Sequence, residues 1–203
     1  MRGIRWLLGV LLLPAIASAG GPRFVTGPPF FTGQQGIPIG WKQPNLLYYT
    51  DPGALSTVVD HPTADALVAA AVSVWNVPVA SITIGQGGAL AEHVSGLNAY
   101  LDTSGLVFPP DVMSSNAAAI PIAVIYDTDG SITDMLLGSG ASNPSGCRQN
   151  AVTQTVDSFD PAGYILHAMI VLNGRCTGTA PELQLEMQYQ LMRAFGRVLG
   201  LAW

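Results

Sequence analysis

The chain has 203 residues, of which 49% are hydrophobic and 10% are charged, and its formal net charge is −5. This hydrophobic fraction is sufficient for a core, and the content of glycine and proline stays below that of disordered low-complexity chains. The 8 lysine and arginine residues form no basic run, which argues against a nucleic-acid partner.

The first 19 residues have the pattern of a secretory signal peptide. Arg2 and Arg5 precede an apolar run over residues 6–16, and Ala17-Ser18-Ala19 supplies the small side chains of a cleavage site. The apolar run is shorter than the roughly 20 residues that span a bilayer, so no membrane span is expected. The pattern therefore predicts a secreted or periplasmic protein.

Cys147 and Cys176 are the chain's 2 cysteines. An even pair in an oxidising compartment favours a disulfide, because the thiol reductants of the cytosol are absent there. The alternative is a pair of buried free thiols. Metal binding is disfavoured because neither cysteine has another cysteine or a histidine at short spacing.

After residues 1–19, the pattern divides the chain into an arm and a single domain. Residues 20–44 are rich in glycine, proline and aromatic residues and predict an extended arm over the domain. Residues 45–203 form the domain, which begins with a strand from Leu46 to Thr50 and a turn at residues 51–53.

A helix is expected next, capped by Asp60 or Thr63 and stopped by Pro78. Alternation of apolar residues over 81–85 predicts a short strand that Gly87-Gly88 closes. The stretch 86–118 has few periodic segments and is the least predictable part of the chain.

Two apolar runs, 120–126 and 165–172, predict central strands, and a loop over 138–146 lies between them. The final helix has a capping-box pattern at Thr179 and Glu182 and an apolar stripe that extends to Gly200. Together these elements predict an α+β fold or an α/β fold with few helices. Of the two we expect the α+β fold, in which a twisted mixed sheet packs with two main helices.

The segment 191–203 resembles the active-site helix of the metzincins, most closely the matrixin-like branch of these zinc metalloproteases. Their motif H-E-x-x-H-x-x-G-x-x-H supplies three histidine ligands, a glutamate base and a glycine that ends the helix. Gly200 stands at the position of that glycine, and Phe195-Gly196 and Val198-Leu199 fit the flanking preferences. The resemblance implies the upper, N-terminal subdomain of the family's fold. The lower subdomain would follow Trp203, so a truncated chain or a piece of a longer protein is expected.

The residues of the catalytic motif are replaced in this chain. Arg193 and Arg197 occupy the first two ligand positions, Ala194 replaces the glutamate, and Trp203 stands at the third ligand position. A guanidinium stays protonated and offers no lone pair to a metal. The sequence therefore predicts a metalloprotease-like, non-catalytic binding or structural module, for which no cofactor, and in particular no zinc, is expected. The alternatives are an active secreted zinc metallopeptidase with unrecognised ligands and an unrelated extracellular adhesion domain.

Two candidate binding sites follow from the side chains. Arg193 and Arg197 are candidates for binding an anion, and the partner would be an extracellular protein or an anionic ligand. The alternative is a solvated or internally paired helix face. His61, His93 and His167 lack the spacing of a substitute zinc site.

Asp127, Asp129 and Asp134 surround a glycine turn and are candidate calcium ligands. A plain Asp-Gly hairpin turn is the alternative interpretation of this segment.

Overall fold

The structure is a computed structural model that describes residues 21–78, 80–103, 105–178 and 181–202, without the side chains of Pro181 and Glu182. The predicted signal peptide, the capping residue Thr179 and the motif residue Trp203 therefore lie outside the described residues.

A six-stranded sheet forms the centre of the molecule. Its strands β3, β2, β6 and β8 lie side by side in this order and run parallel. The short β1 also pairs in parallel with the start of β8, whereas β7 pairs antiparallel with β8 and forms an edge. A separate antiparallel hairpin contains β4 and β5. The strands are β1 (Gly40–Trp41), β2 (Asn45–Thr50), β3 (Thr83–Ala89), β4 (Tyr100–Asp102), β5 (Gly105–Val107), β6 (Ile122–Asp127), β7 (Val152–Phe159) and β8 (Tyr164–Asn173).

Helices cover this sheet. The two long helices are α1 and α4, and both pack on one face of the sheet. None of the described helices is both long enough and apolar enough to cross a membrane. The helices are α1 (His61–Ser73), α2 (Ser131–Leu137), α3 (Cys147–Asn150) and α4 (Pro181–Val198). The α+β prediction, with a mixed sheet and two main helices, is confirmed.

The two central strands separate two apolar cores. All six residues of β6 are buried, which matches the continuous apolar run in its sequence. Ile122, Val124 and Tyr126 point to the core under α1 and α4, whereas Ala123 and Ile125 point to the core on the opposite face. The prediction that the runs 120–126 and 165–172 form central strands is therefore confirmed.

Helix α1 begins as expected but ends early. Asp60 is its cap, since its carboxylate accepts a hydrogen bond from the backbone N–H of Thr63 at 3.0 Å. The helix ends at Ser73 rather than near Pro78. The chain leaves the helix here, and the Trp75 indole N–H donates to the carbonyl of Met192 on α4 at 3.0 Å. The expectation that Pro78 sets the helix end is therefore wrong, because α1 ends five residues earlier and Trp75, beyond its end, contacts α4.

Strand β3 is longer than its sequence predicts. It continues through Gly87 and Gly88 to Ala89, because its pairing with β2 resumes after an irregularity at Tyr48/Tyr49. A Cβ atom on Gly87 would lie 2.5 Å from the ring carbon Cζ of Tyr49. The glycine therefore makes room for an aromatic ring within the strand pair, and does not close the strand.

Helix α4 ends in a C-terminal cap that depends on a glycine with a positive φ. Gly200 has φ +92°, the N–H of Leu201 donates to the carbonyl of Gly196 at 3.0 Å, and the N–H of Gly200 donates to the carbonyl of Arg197 at 3.1 Å. The backbone of the N-terminal segment lies directly against this cap, since the N–H of Arg23 donates to the carbonyl of Gly200 at 2.7 Å.

A disulfide joins Cys147 and Cys176, as the sequence predicts. It connects α3 to the turn that follows β8 and closes a loop with a sequence separation of 29. In the chain-entropy model a loop of this length stabilises the fold by about 3–4 kcal/mol.

Replacing Gly200 by alanine should lower the free energy of unfolding by at least about 2 kcal/mol, because two penalties combine. The residue has a positive φ, and the new Cβ would lie 2.5 Å from the carbonyl oxygen of Ile39. Chemical denaturation of the protein measures the loss.

Gly36→Ala is the matched control, because Gly36 has φ +74° but no atom lies within 4 Å of the position that a methyl group would take there. It should cost only about 1–2 kcal/mol. Equal losses in the two variants would contradict the close approach between the N-terminal segment and the end of α4.

Candidate functional site

Arg193 and Arg197 line the same surface pocket, which has a volume of about 250 Å³. Both side chains are half-buried and lie one helical turn apart on α4. The pocket lies between α4, α3 and the edge strand β7. Its lining residues are Arg148, Gln149, Val152, Gln154, Glu186, Gln190, Arg193 and Arg197.

The buried apolar stripe of α4 determines which face of the helix carries the two arginines. Leu191, Phe195 and Val198 are fully buried against the sheet, which orients the helix about its axis. Arg193 and Arg197 lie beside this stripe and therefore border the pocket. Ala194, at the position of the family's general base, is buried in the apolar core.

Gln190 connects the three elements around the pocket. Its amide oxygen accepts a hydrogen bond from the N–H of Val152 on β7 at 3.2 Å. Its amide nitrogen donates to the carbonyl of Cys147 on α3 at 2.8 Å and to the carboxylate of Glu186 at 3.1 Å. Because Cys147 is also held by the disulfide, the neighbouring Arg148 is attached to a firmly anchored turn.

The pocket carries an excess of positive charge. Arg148, Arg193 and Arg197 outnumber its one carboxylate, Glu186. The three ion pairs found among the described residues all join a histidine to an aspartate, so no arginine of the pocket is paired with a described carboxylate. The guanidinium of Arg193 lies 5.7 Å from the ring centroid of Tyr189, a contact that leaves its charge uncompensated.

The residues at the motif positions do not fit zinc. Arginine offers no lone pair at Arg193 and Arg197, and the methyl side chain of Ala194 offers no donor atom. Within the part of the chain that the structure describes, no group of three or more histidine, cysteine, aspartate or glutamate side chains is placed to hold a metal ion.

The three candidate calcium ligands each bind backbone nearby. Asp127 accepts hydrogen bonds from the N–H groups of Ile132 at 3.1 Å and Thr133 at 2.7 Å. Asp129 accepts from the N–H of Ser131 at 2.9 Å. These contacts anchor the first turn of α2. The hairpin-turn alternative for this segment is wrong, because the chain passes from β6 into α2.

The remaining ligand candidate, Asp134, serves the following loop. Its carboxylate accepts from the N–H of Ser142 at 2.7 Å. Hydrogen bonding from Ser142 lowers the pKa of Asp134, and hydrogen bonding from Ser131 lowers that of Asp129. The carboxylates are thus used as local backbone acceptors, which favours a structural role for them over the calcium site that the sequence suggests.

Each histidine is paired with an aspartate that the sequence did not reveal. His93 Nδ1 lies 2.6 Å from Asp51, and His167 Nδ1 lies 2.6 Å from Asp157. His61 lies 3.4 Å from Asp65. Only the last pair has a recognisable signal, an i,i+4 spacing on one helix. The other partners come from different strands or loops, and the three pairs share no carboxylate.

Comparison of the chain with protein-family models, with curated proteins and with solved structures found no match.

The local use of the three carboxylates predicts that millimolar calcium leaves the melting temperature of the wild type and of Asp129→Ala equally unchanged. Thermal unfolding with calcium and with matched magnesium measures this. A calcium-specific rise in the wild type that Asp129→Ala abolishes would contradict this interpretation and establish the calcium site.

Proposed function

We propose that this protein is an exported, non-catalytic module that binds an anionic ligand in the arginine-lined pocket beside α4. One observation carries the proposal: Arg193 and Arg197, which replace the first two metal ligands of the metzincin motif, line a pocket with Arg148 and have no described carboxylate as a partner.

The chemistry of the pocket favours carboxylate, phosphate or sulfate groups. A guanidinium presents planar N–H donors that match the oxygens of such groups and remains charged at every physiological pH. The side chains of Gln149 and Gln154 add amide groups to the pocket lining. A half-buried cluster of like charges is unfavourable without a counter-ion, so an anion would relieve repulsion as well as form hydrogen bonds.

The metzincin relationship is part of the proposal. Its support is the order of β2, the long helix α1, β3, the central strands β6 and β8 and the final long helix α4, together with the helix end at Gly200. On this view the family's cleft is retained, and permanent cations occupy the positions of its metal ligands. Hydrolysis would be absent because neither a metal ligand nor a general base stands at those positions.

The direct test is a titration of the mature protein with inorganic phosphate by isothermal calorimetry at constant ionic strength. The wild type should bind saturably. The double variant Arg193→Gln/Arg197→Gln should bind at least about tenfold more weakly, because two charge-assisted contacts are lost. Glutamine keeps the helix propensity and much of the side-chain length, so loss of folding is not expected.

Lys42→Gln is the control, since Lys42 is exposed and does not line the pocket. It removes one positive charge and should leave phosphate binding unchanged. No saturable binding by the folded wild type, or equal weakening in the control and the double variant, would contradict the proposed anion site.

Two other functions make different predictions. An active zinc metallopeptidase would contain stoichiometric zinc after purification and would cleave peptides, and a chelator would abolish the cleavage. An unrelated adhesion domain would bind its target equally well after the double arginine substitution. We expect no stoichiometric zinc and no chelator-sensitive cleavage, and either finding would overturn the non-catalytic proposal.

A further inference from the structure

Most of the positive charges on the described residues are concentrated around the second half of α4. Four of the six described cationic side chains lie around the second half of this helix, although the chain as a whole carries a formal charge of −5. An acidic chain with few cationic residues has no compositional reason to cluster them at one place on its surface. The six residues are Arg23, Lys42, Arg148, Arg175, Arg193 and Arg197.

Arg23 is the member of this group that the N-terminal segment contributes. Its backbone N–H donates to the carbonyl of Gly200 at 2.7 Å, and Pro22 forms a bridge with Leu201. Its guanidinium lies 4.9 Å from the ring centroid of Phe24. Burial, together with the charge of Arg197, lowers the pKa of Arg23, so the two guanidinium groups are close enough to repel each other.

Arg148 lines the pocket from the side of α3. It follows Cys147, whose carbonyl accepts a hydrogen bond from Gln190 at 2.8 Å. Gln190 precedes Arg193 on α4, whereas Gly200 follows Arg197. The order along the helix is therefore Arg148, Arg193, Arg197 and Arg23.

The backbone positions that carry the four arginines spread over a length greater than the size of one anion. Arg193 and Arg197 are separated by about 6 Å along the helix axis. The segment from Gln190 to Gly200 covers about 15 Å. One phosphate or carboxylate group would therefore compensate only part of the row, and the remaining cations would still repel each other.

We propose that the pocket and the adjoining Arg23 bind a compact ligand with two or more anionic groups, one held by Arg193 and Arg197 in the pocket and another near Arg23 at the end of α4. This inference rests on the proposed function, and it adds the class of ligand and the role of the N-terminal segment. A compact ligand fits better than a long polyanion, because the chain's 13 acidic residues against 8 basic ones would repel a polymer that extends beyond the pocket.

The other two described cations differ in their surroundings. Arg175 donates hydrogen bonds to Ser142 at 3.1 Å and to Asn143 at 3.3 Å. Lys42 lies 6.0 Å from the ring centroid of Tyr164. Neither side chain lines the pocket, so we expect neither to contribute to binding of the ligand.

The test compares ligands that carry one anionic group with ligands that carry several. Calorimetric titrations of the mature protein at constant ionic strength would use acetate against citrate and inorganic phosphate against tripolyphosphate. In each pair the multivalent ligand should bind at least about tenfold more tightly, because its second group binds from a high effective concentration. The carboxylate and phosphate pairs also show which anion chemistry the pocket prefers.

Arg23→Gln separates the inference from the proposed function. This variant should lower the affinity for tripolyphosphate or citrate at least about fivefold, and it should change the affinity for the single-group ligands by less than about twofold. Lys42→Gln should change neither, and unchanged melting temperatures would show that both variants fold.

The outcomes are distinguishable. If single-group and multivalent ligands bind equally, or if Arg23→Gln has no effect on either, the inference is wrong while anion binding at Arg193 and Arg197 stands. If the folded wild type binds none of the four ligands, the proposed function itself is overturned.

Discussion

The packing of α4 against the sheet is the constraint on which the rest of the site depends. Leu191, Phe195 and Val198 are fully buried and fix both the position of the helix and its rotation about its axis. Burying side chains of this size contributes about 1.5–3 kcal/mol each. This buried stripe leaves Arg193 and Arg197 on the flank that borders β7 and α3.

Three further contacts hold the elements around the pocket in place. Gln190 forms hydrogen bonds that join α4 to β7 and α3, the disulfide anchors α3, and the N-terminal segment forms a backbone hydrogen bond with Gly200 at the end of α4. Such anchoring matters for anion binding, because guanidinium groups on fixed elements lose less conformational freedom when a ligand is bound. The same fixed arrangement holds like charges close together, and this repulsion is what a ligand would relieve.

The elements with a clear periodic signal were predictable from the sequence. The apolar runs of β6 and β8 and the stripe of α4 are long and regular, so their burial follows from pattern alone. Strand β7 was not predicted, because its residues include Thr153, Gln154, Thr155 and Asp157 and its side chains are mostly half-buried or exposed. As an edge strand it needs few apolar residues, and the hydrogen bonds that define it come from β8.

The site itself was only partly predictable. The positions of Arg193 and Arg197 in the motif suggested an anion site, but Arg148 and Arg23 are distant in sequence and only the tertiary fold brings them to α4. The three aspartates around Gly130 have the composition of a calcium loop. Asp127 and Asp129 instead accept hydrogen bonds from backbone N–H groups of α2, and Asp134 accepts one from Ser142, contacts that depend on a helix that the sequence did not reveal. Aspartate side chains serve both purposes, so composition does not distinguish them.

Anion binding at Arg193 and Arg197 is tested most directly by anomalous diffraction from crystals of the protein grown with selenate, an analogue of sulfate. We expect a selenium peak in the pocket beside α4, within hydrogen-bonding distance of the guanidinium groups of Arg193 and Arg197. A zinc peak at that position, or selenate bound elsewhere while this pocket contains none, would contradict it.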